Sequence, residues 1–209
     1  MIRAGDLKGR PVVDVDGAEK IGVLHEVILD PAALRVAGLA VSGGVTFIGA
    51  QKQMLLPSSA VHAIGPDAVM VRRPPLSDDT LSYLSVLPRV SDLAGRRLVS
   101  DTGTLVGSVC DVIFDSQDGR LIGYEFKPPN GSASVEKLLG VGRGRPLRYV
   151  RAEASLRIGT KLIVVPEDAV VDAVEPDIEE DRVAPGRWHD VSTEDPTREL
   201  VLDQDRKAS

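Results

Sequence analysis

Apolar and polar positions in this chain change places over short distances. Short runs are broken by Gly, Pro and Asp, which is the rhythm of strands and turns. Residues 10–15 are β-branched and lead into Asp16-Gly17, a hairpin signal. Residues 21–30 form a longer β-rich run, and after a turn at Asp30-Pro31 residues 34–41 form another. Residues 54–57 and 68–72 follow, with Gly65-Pro66-Asp67 as the turn between them. The same succession returns at 97–100, 106–115, 121–127, 161–165 and 170–174. Val27, Ile28 and Leu29 are apolar in a row, so that strand is either covered on both faces or shifted in register by a bulge. Between the two series, Ser77-Asp78-Asp79-Thr80 supplies a cap for one short helix, and residues 135–139 read as a single helical turn.

The two series are an internal repeat. DLKGRPVVDVDG at 6–17 matches DLAGRRLVSDTG at 92–103 with six of twelve positions identical. After one dropped residue, IGVLHEVILD at 21–30 matches VGSVCDVIFD at 106–115 with four of ten identical. Val36-Ala-Gly-Leu then pairs with Leu121-Ile-Gly-Tyr, and Pro57-Ser-Ser-Ala-Val61 with Pro166-Glu-Asp-Ala-Val170. On that last pairing the second repeat carries an insertion of 24 residues within 127–160, because the offset grows from 85 to 109.

Composition narrows the class. Of 209 residues, 43% are hydrophobic and only 3% aromatic, so the core must be aliphatic. The single cysteine, Cys110, excludes an intrachain disulfide and a cysteine-based metal site. The opening MIRAGDLKGR has no apolar signal core, and the longest apolar runs are too short to span a bilayer; both point to a soluble, cytoplasmic protein. Of the net charge of −6, residues 177–209 hold −5, with ten acids against five bases. The body is therefore nearly neutral, against a broad nucleic-acid binder, and the acidic tail is expected to be disordered.

Candidate chemistry is sparse. Asp14-Val15-Asp16-Gly17 resembles the start of a calcium loop, but an EF-hand needs Gly at position 6 and Glu at position 12, where Gly is at 4 and His25 at 12. A hairpin turn is expected instead. His25, His62 and His189 are scattered, and His25 aligns with Cys110, as a packing position would. Glu26 aligns with Asp111 and Asp30 with Asp115; recurrence once per repeat suggests structure, with Asp30 and Asp115 bonding turn amides. Gly140-Val-Gly-Arg-Gly-Arg145 lacks the Gly-Lys-Ser/Thr of a phosphate loop. Its surroundings are basic: residues 136–161 hold seven bases and two acids. Arg143, Arg145, Arg148, Tyr149 and Arg151 are the candidate contacts for an anionic partner, RNA phosphate or lipid headgroup; a solvated loop is the plainer reading.

The two repeats each resemble the opening of a PRC-barrel domain: Leu-x-Gly, a short strand, a Gly turn, a further Gly, then an apolar strand ending in Asp. LLPSSAVHAIGPDAVMV and VVPEDAVVDAVEPDIEE resemble its closing segment. The resemblance implies an all-β fold of two tandem small barrels at 1–73 and 90–175, the second with its basic insertion near 128–160. A linker at 74–89 carries the short helix, and 176–209 forms the tail. The units are expected to pack about a pseudo-twofold axis, as an internal homodimer would. The family is a binding and scaffolding module, known from the photosynthetic reaction-centre H subunit and from a ribosome-maturation factor, with no shared catalytic residues. It implies a non-enzymatic adaptor with no cofactor, no metal and no transmembrane segment, that binds a protein partner and is open to homo-oligomerisation. A ribosome-assembly or RNA-processing factor using the basic insertion, and an accessory of a photosynthetic or membrane complex, are the alternatives.

Overall fold

The computed structural model describes residues 1–45, 51–73, 77–129, 146–153 and 156–174. The tail, the helical turn at 135–139 and the linker residues 74–76 lie outside them. The chain opens with β1 (Ile2–Arg3) and α1 (Ala4–Leu7), then forms barrel 1 from β2 (Pro11–Asp14), β3 (Glu19–Asp30), β4 (Arg35–Val45), β5 (Gln51–Pro57), β6 (Val61–Ile64) and β7 (Val69–Val71). The linker helix α2 (Asp78–Val86) and the short α3 (Val90–Leu93) follow. Barrel 2 is β8 (Arg97–Ser100), β9 (Leu105–Phe114), β10 (Leu121–Lys127), β11 (Pro146–Arg151), β12 (Arg157–Ile158), β13 (Leu162–Val165) and β14 (Val170–Val174). The sheets run β5-β4-β3-β2-β7-β6 and β12-β13-β8-β9-β10-β11-β14, with β1 laid against β9. In each, one pair is parallel: β2 with β7, and β8 with β13.

The repeated Asp-Leu-x-Gly-Arg segment has a physical meaning. Leu7 and Leu93 are fully buried at the ends of the short helices. Gly9 and Gly95 then take φ of 81° and 82°, a left-handed turn open to glycine. Their N–H groups donate to Leu24 and Val109, which donate back to Arg10 and Arg96. The guanidinium of Arg10 bonds the carbonyls of Asp6 and Gly65, and that of Arg96 bonds those of Asp92 and Gly159. Five residues thus lock helix, first strand and far hairpin together, twice.

Two barrels form one body. Val36 donates to the Gly119 carbonyl at 2.8 Å, and its equivalent Leu121 donates to the Leu34 carbonyl at 2.8 Å. These reciprocal bonds place the equivalent residues Arg35 and Arg120 opposite each other on a pseudo-twofold axis. The lead-in strands are exchanged as well. Arg3 of β1 faces Ile113 of β9, while its equivalent Arg89 faces Ile28 of β3. A single apolar cluster runs through both units, from Leu7, Leu24 and Leu29 to Val109, Phe114 and Leu121. Completely burying such side chains contributes about 1.5–3 kcal/mol each.

Val27, Ile28 and Leu29 are all buried, and β3 has register shifts on either side of Val27, so both expectations for that strand hold. Val27 and Leu29 enter the shared core, whereas Ile28 faces outward under α2, with Ala37, Ala40 and Leu84. Helix α2 is capped as expected, Ser77 Oγ accepting the Thr80 N–H at 3.2 Å.

One expected equivalence is corrected. Gly38 faces Pro57 across β4 and β5, and its equivalent Gly123 faces Arg151 across β10 and β11. Val12 faces Val69, and its equivalent Leu98 faces Ile163. Both partners are offset by 94 residues, against 85 for the glycines, so the insertion is nine residues, not 24. Pro57 corresponds to Arg151, not to Pro166. The two Pro-x-x-Ala-Val segments share a local shape, a three-residue 3-10 turn after proline. Such a motif encodes the turn but not where the next strand docks. After Pro57 the chain continues into β6, which pairs with β7; after Pro166 it forms β14, an added strand on the outer edge of β11.

Candidate functional site

The residues expected to meet an anionic partner are divided. Arg143 and Arg145 lie outside the described residues. Arg148, Tyr149 and Arg151 sit on β11, a regular strand where the sequence suggested a loop. The added strand and the turn before it supply the two arginines with acids. Arg148 Nε donates to Asp172 Oδ1 at 2.8 Å. Arg151 donates to the Asp168 carbonyl at 2.8 Å and stands 3.7 Å from its carboxylate. The Tyr149 ring occupies the space a side chain on Gly123 would need. Two of the five candidate groups are thus already engaged within barrel 2.

The aligned pairs His25/Cys110 and Glu26/Asp111 meet on the pseudo-twofold. With α1 and α3 they line an open cleft of about 230 Å³. Each acid has a partner: Glu26 stands 3.4 Å from Lys8 Nζ, and Asp111 accepts the Gly5 N–H at 3.1 Å and its neighbour Val112 N–H at 2.7 Å. Burial raises the Asp111 pKa above the usual aspartate range; bonds from Val112 and Gly5 pull it back, and Glu125 and Asp6 push it up. Across the β9–β10 ladder Asp111 faces Glu125. Glu125 itself is buried against Arg3, whose Nε donates to it at 2.7 Å. Asp30 and Asp115 do what the repeat suggested. Asp30 Oδ1 accepts the Ala32 and Ala33 N–H groups, and Asp115 Oδ1 accepts that of Gln117. Asp14 to Gly17 is a hairpin turn, β2 and β3 pairing from Asp14 with Glu19.

A larger cavity, about 570 Å³, opens between α2 and the outer face of barrel 1. It exists because α2 is anchored by Leu84 and Leu87 against Ile28, Ala37 and Leu55, while the helix's first turns leave a half-open space over β4 and the turn after β5. Its floor is apolar, with Ala37, Pro57 and Leu84; its polar groups include Arg35, Ser58 and Tyr83. Tyr83 Oη donates to Asp30 Oδ2 at 2.5 Å. Burial, that bond and the charge of Asp30 together push the Tyr83 pKa up to about 12. Both Asp30 oxygens are therefore used. Arg35 has no carboxylate partner among the described residues. The sequence did not single out Arg35, Ser58 or Tyr83; the one available signal was the alignment that sets Arg35 opposite Arg120.

Among the described residues no helix is long and apolar enough to cross a membrane. The family model for the PRC-barrel domain matches residues 1–77 and 88–172, most of the chain in two copies. No curated protein matches it.

Proposed function

The chain belongs to the PRC-barrel domain family as two tandem copies, and we propose that it is a non-enzymatic adaptor whose paired barrels hold a protein partner. PRC-barrel domains are protein-interaction modules. The observation that carries the reading is the reciprocal exchange of lead-in strands over one core, which fixes two such modules as a single platform. Preorganised surfaces bind with less ordering cost than tethered ones. The acids recurring in the repeats accept turn and helix-end N–H groups or pair with Lys8, so they are already employed structurally. The anionic-partner reading is weaker, because Arg148 and Arg151 are paired internally.

Affinity capture of the full chain from its native lysate tests the proposal. One stoichiometric protein partner is expected. Repeated capture of none, together with turnover of a metabolite by the purified chain, would overturn it.

A further inference from the structure

Barrel 2 closes a sheet edge that barrel 1 leaves open. Strand β5 is the last in its sheet, whereas its equivalent β11 carries β14 on the far side. With Pro57 equivalent to Arg151, the residues Met54, Leu55 and Leu56 correspond to Arg148, Tyr149 and Val150. Alternation along a strand decides which backbone groups face the edge. On barrel 2 the Ala152 N–H donates inward to Ile122, so the backbone groups of Val150 also point to β10, and those of Tyr149 point outward to Val171 of β14. On barrel 1 the same alternation turns the N–H and C=O of Gln53 and Leu55 outward. Pro57 falls in the outward set too, where a missing N–H costs the ladder nothing. None of these outward groups has a backbone partner among the described residues. Exposed edges are commonly blunted by charge, and from Gln53 to Pro57 this strand has none.

We propose that β5 takes an antiparallel strand from a partner protein, in the place that β14 holds on β11. This rests on the adaptor reading and assigns its contact site. Strand β14 shows what fits, since Val170 to Val174 run antiparallel against Val150 to Pro146. In such strand addition the main-chain bonds supply affinity and the facing side chains supply selectivity. Those side chains separate the two edges. Arg148 of β11 faces Asp172 and pairs with it at 2.8 Å. Its equivalent Met54 is half-buried against the shared core, and Leu55 is half-buried against the apolar patch under α2. An acid opposite Met54 would lack a partner, whereas a β-branched side chain would extend the apolar contact. The fitting strand is therefore about five uncharged residues rich in Val, Ile and Thr. A second copy's β5 is the poorer occupant, because it has no β-branched residue and ends in Pro57, which cannot donate.

Hydrogen exchange followed by NMR and peptide selection, both on the full chain, test the site. In the free chain the Gln53 and Leu55 amides should exchange fast while that of Leu56, which faces β4, is protected. Protection of Gln53 and Leu55 would mean that this chain or a second copy already covers the edge, and would overturn the proposal. A phage-displayed random library should enrich uncharged, β-branched peptides, and one of these added in synthetic form should protect both amides. Gln53→Pro removes an outward N–H at an exposed position and leaves the β4 ladder intact. It should weaken that peptide by roughly five- to tenfold, the loss of one backbone hydrogen bond. Met54→Arg copies barrel 2 and should move the selected sequences toward one acid facing it, as Asp172 faces Arg148, so it carries the test even if Gln53→Pro folds poorly. Enrichment of no peptide, a peptide that leaves both amides unprotected, or an unchanged selection on Met54→Arg would each overturn the site. Equal binding of the peptide to a folded Gln53→Pro does the same. A partner captured from lysate equally by wild type and Gln53→Pro sinks the edge and spares the adaptor reading.

Discussion

Barrels 1 and 2 share a strand frame and differ in what is laid over it. On barrel 1 the outer face of β3 and β4 is apolar, with Ile28, Ala37 and Ala40, and is covered by α2. On barrel 2 the position of Ala40 is taken by Glu125, which is buried against Arg3. The equivalents β5 and β11 also part company. The outer edge of β11 pairs with β14, and two acids contributed by β14 and the turn before it engage the strand's arginines. The frame is fixed by backbone bonds and buried aliphatic side chains, which tolerate little change. Outer faces and edges carry the differences because additions there leave the core undisturbed.

The largest test of the comparison strikes the shared core. Leu29 and Phe114 are equivalent and have 0% exposure. Leu29→Ala should cost about 2–5 kcal/mol and Phe114→Ala about 3–5 kcal/mol. Urea unfolding followed by circular dichroism should show one transition for either variant; two resolved transitions would mean the barrels are independent. Next, Arg3→Met strands Glu125 in a buried site and should cost about 3 kcal/mol. Adding Glu125→Ala, which copies barrel 1, should recover most of that loss in a double-mutant cycle. Failure to recover would show that Arg3 acts chiefly elsewhere. A smaller effect belongs to Asp168→Asn with Asp172→Asn. Stability should change by less than about 1 kcal/mol, since these pairs are exposed. Retention on heparin should nevertheless rise as Arg148 and Arg151 are released, and unchanged retention would weaken the anionic-partner reading further.

The smallest effect is a titration set by the contact of Tyr83 with Asp30 on barrel 1. Tyr83 ionises at about 12 in the folded chain, against 10.0 for free tyrosine. Its contribution to stability is fully present below pH 10 and is lost as pH rises toward 12. Absorbance titration of the native chain minus Tyr83→Phe should isolate a phenolate step near pH 12. A difference step at pH 10 would mean that the contact with Asp30 is absent in solution.

Strands and turns were legible because Gly, Asp and β-branched residues act locally. The Leu-x-Gly turn, the Ser77 cap and the amide bonds of Asp30 and Asp115 were all readable from a few neighbouring residues. What escaped depends on distance. Ile2-Arg3 is too short to announce a strand, and its partner lies in the other repeat. Pro166 repeats the turn of Pro57 while its strand docks elsewhere, so motif matching gave the wrong offset. The cavity beside α2 was hidden for the same reason: it depends on where the linker helix docks over β4 and the turn after β5, segments distant from it in sequence.

The exchanged lead-in strands bear on how the chain matures during translation. Ile2 pairs with Phe114, so a nascent first barrel emerges with its opening strand unclaimed until β9 has been made. The first barrel in turn lacks its own borrowed strand until Arg89 appears opposite Ile28. Contacts this remote in sequence slow assembly, and unpaired edges invite the wrong neighbour meanwhile. Stalled or truncated products ending in the linker should therefore be the species that aggregate or call on chaperones, while the complete polypeptide closes itself.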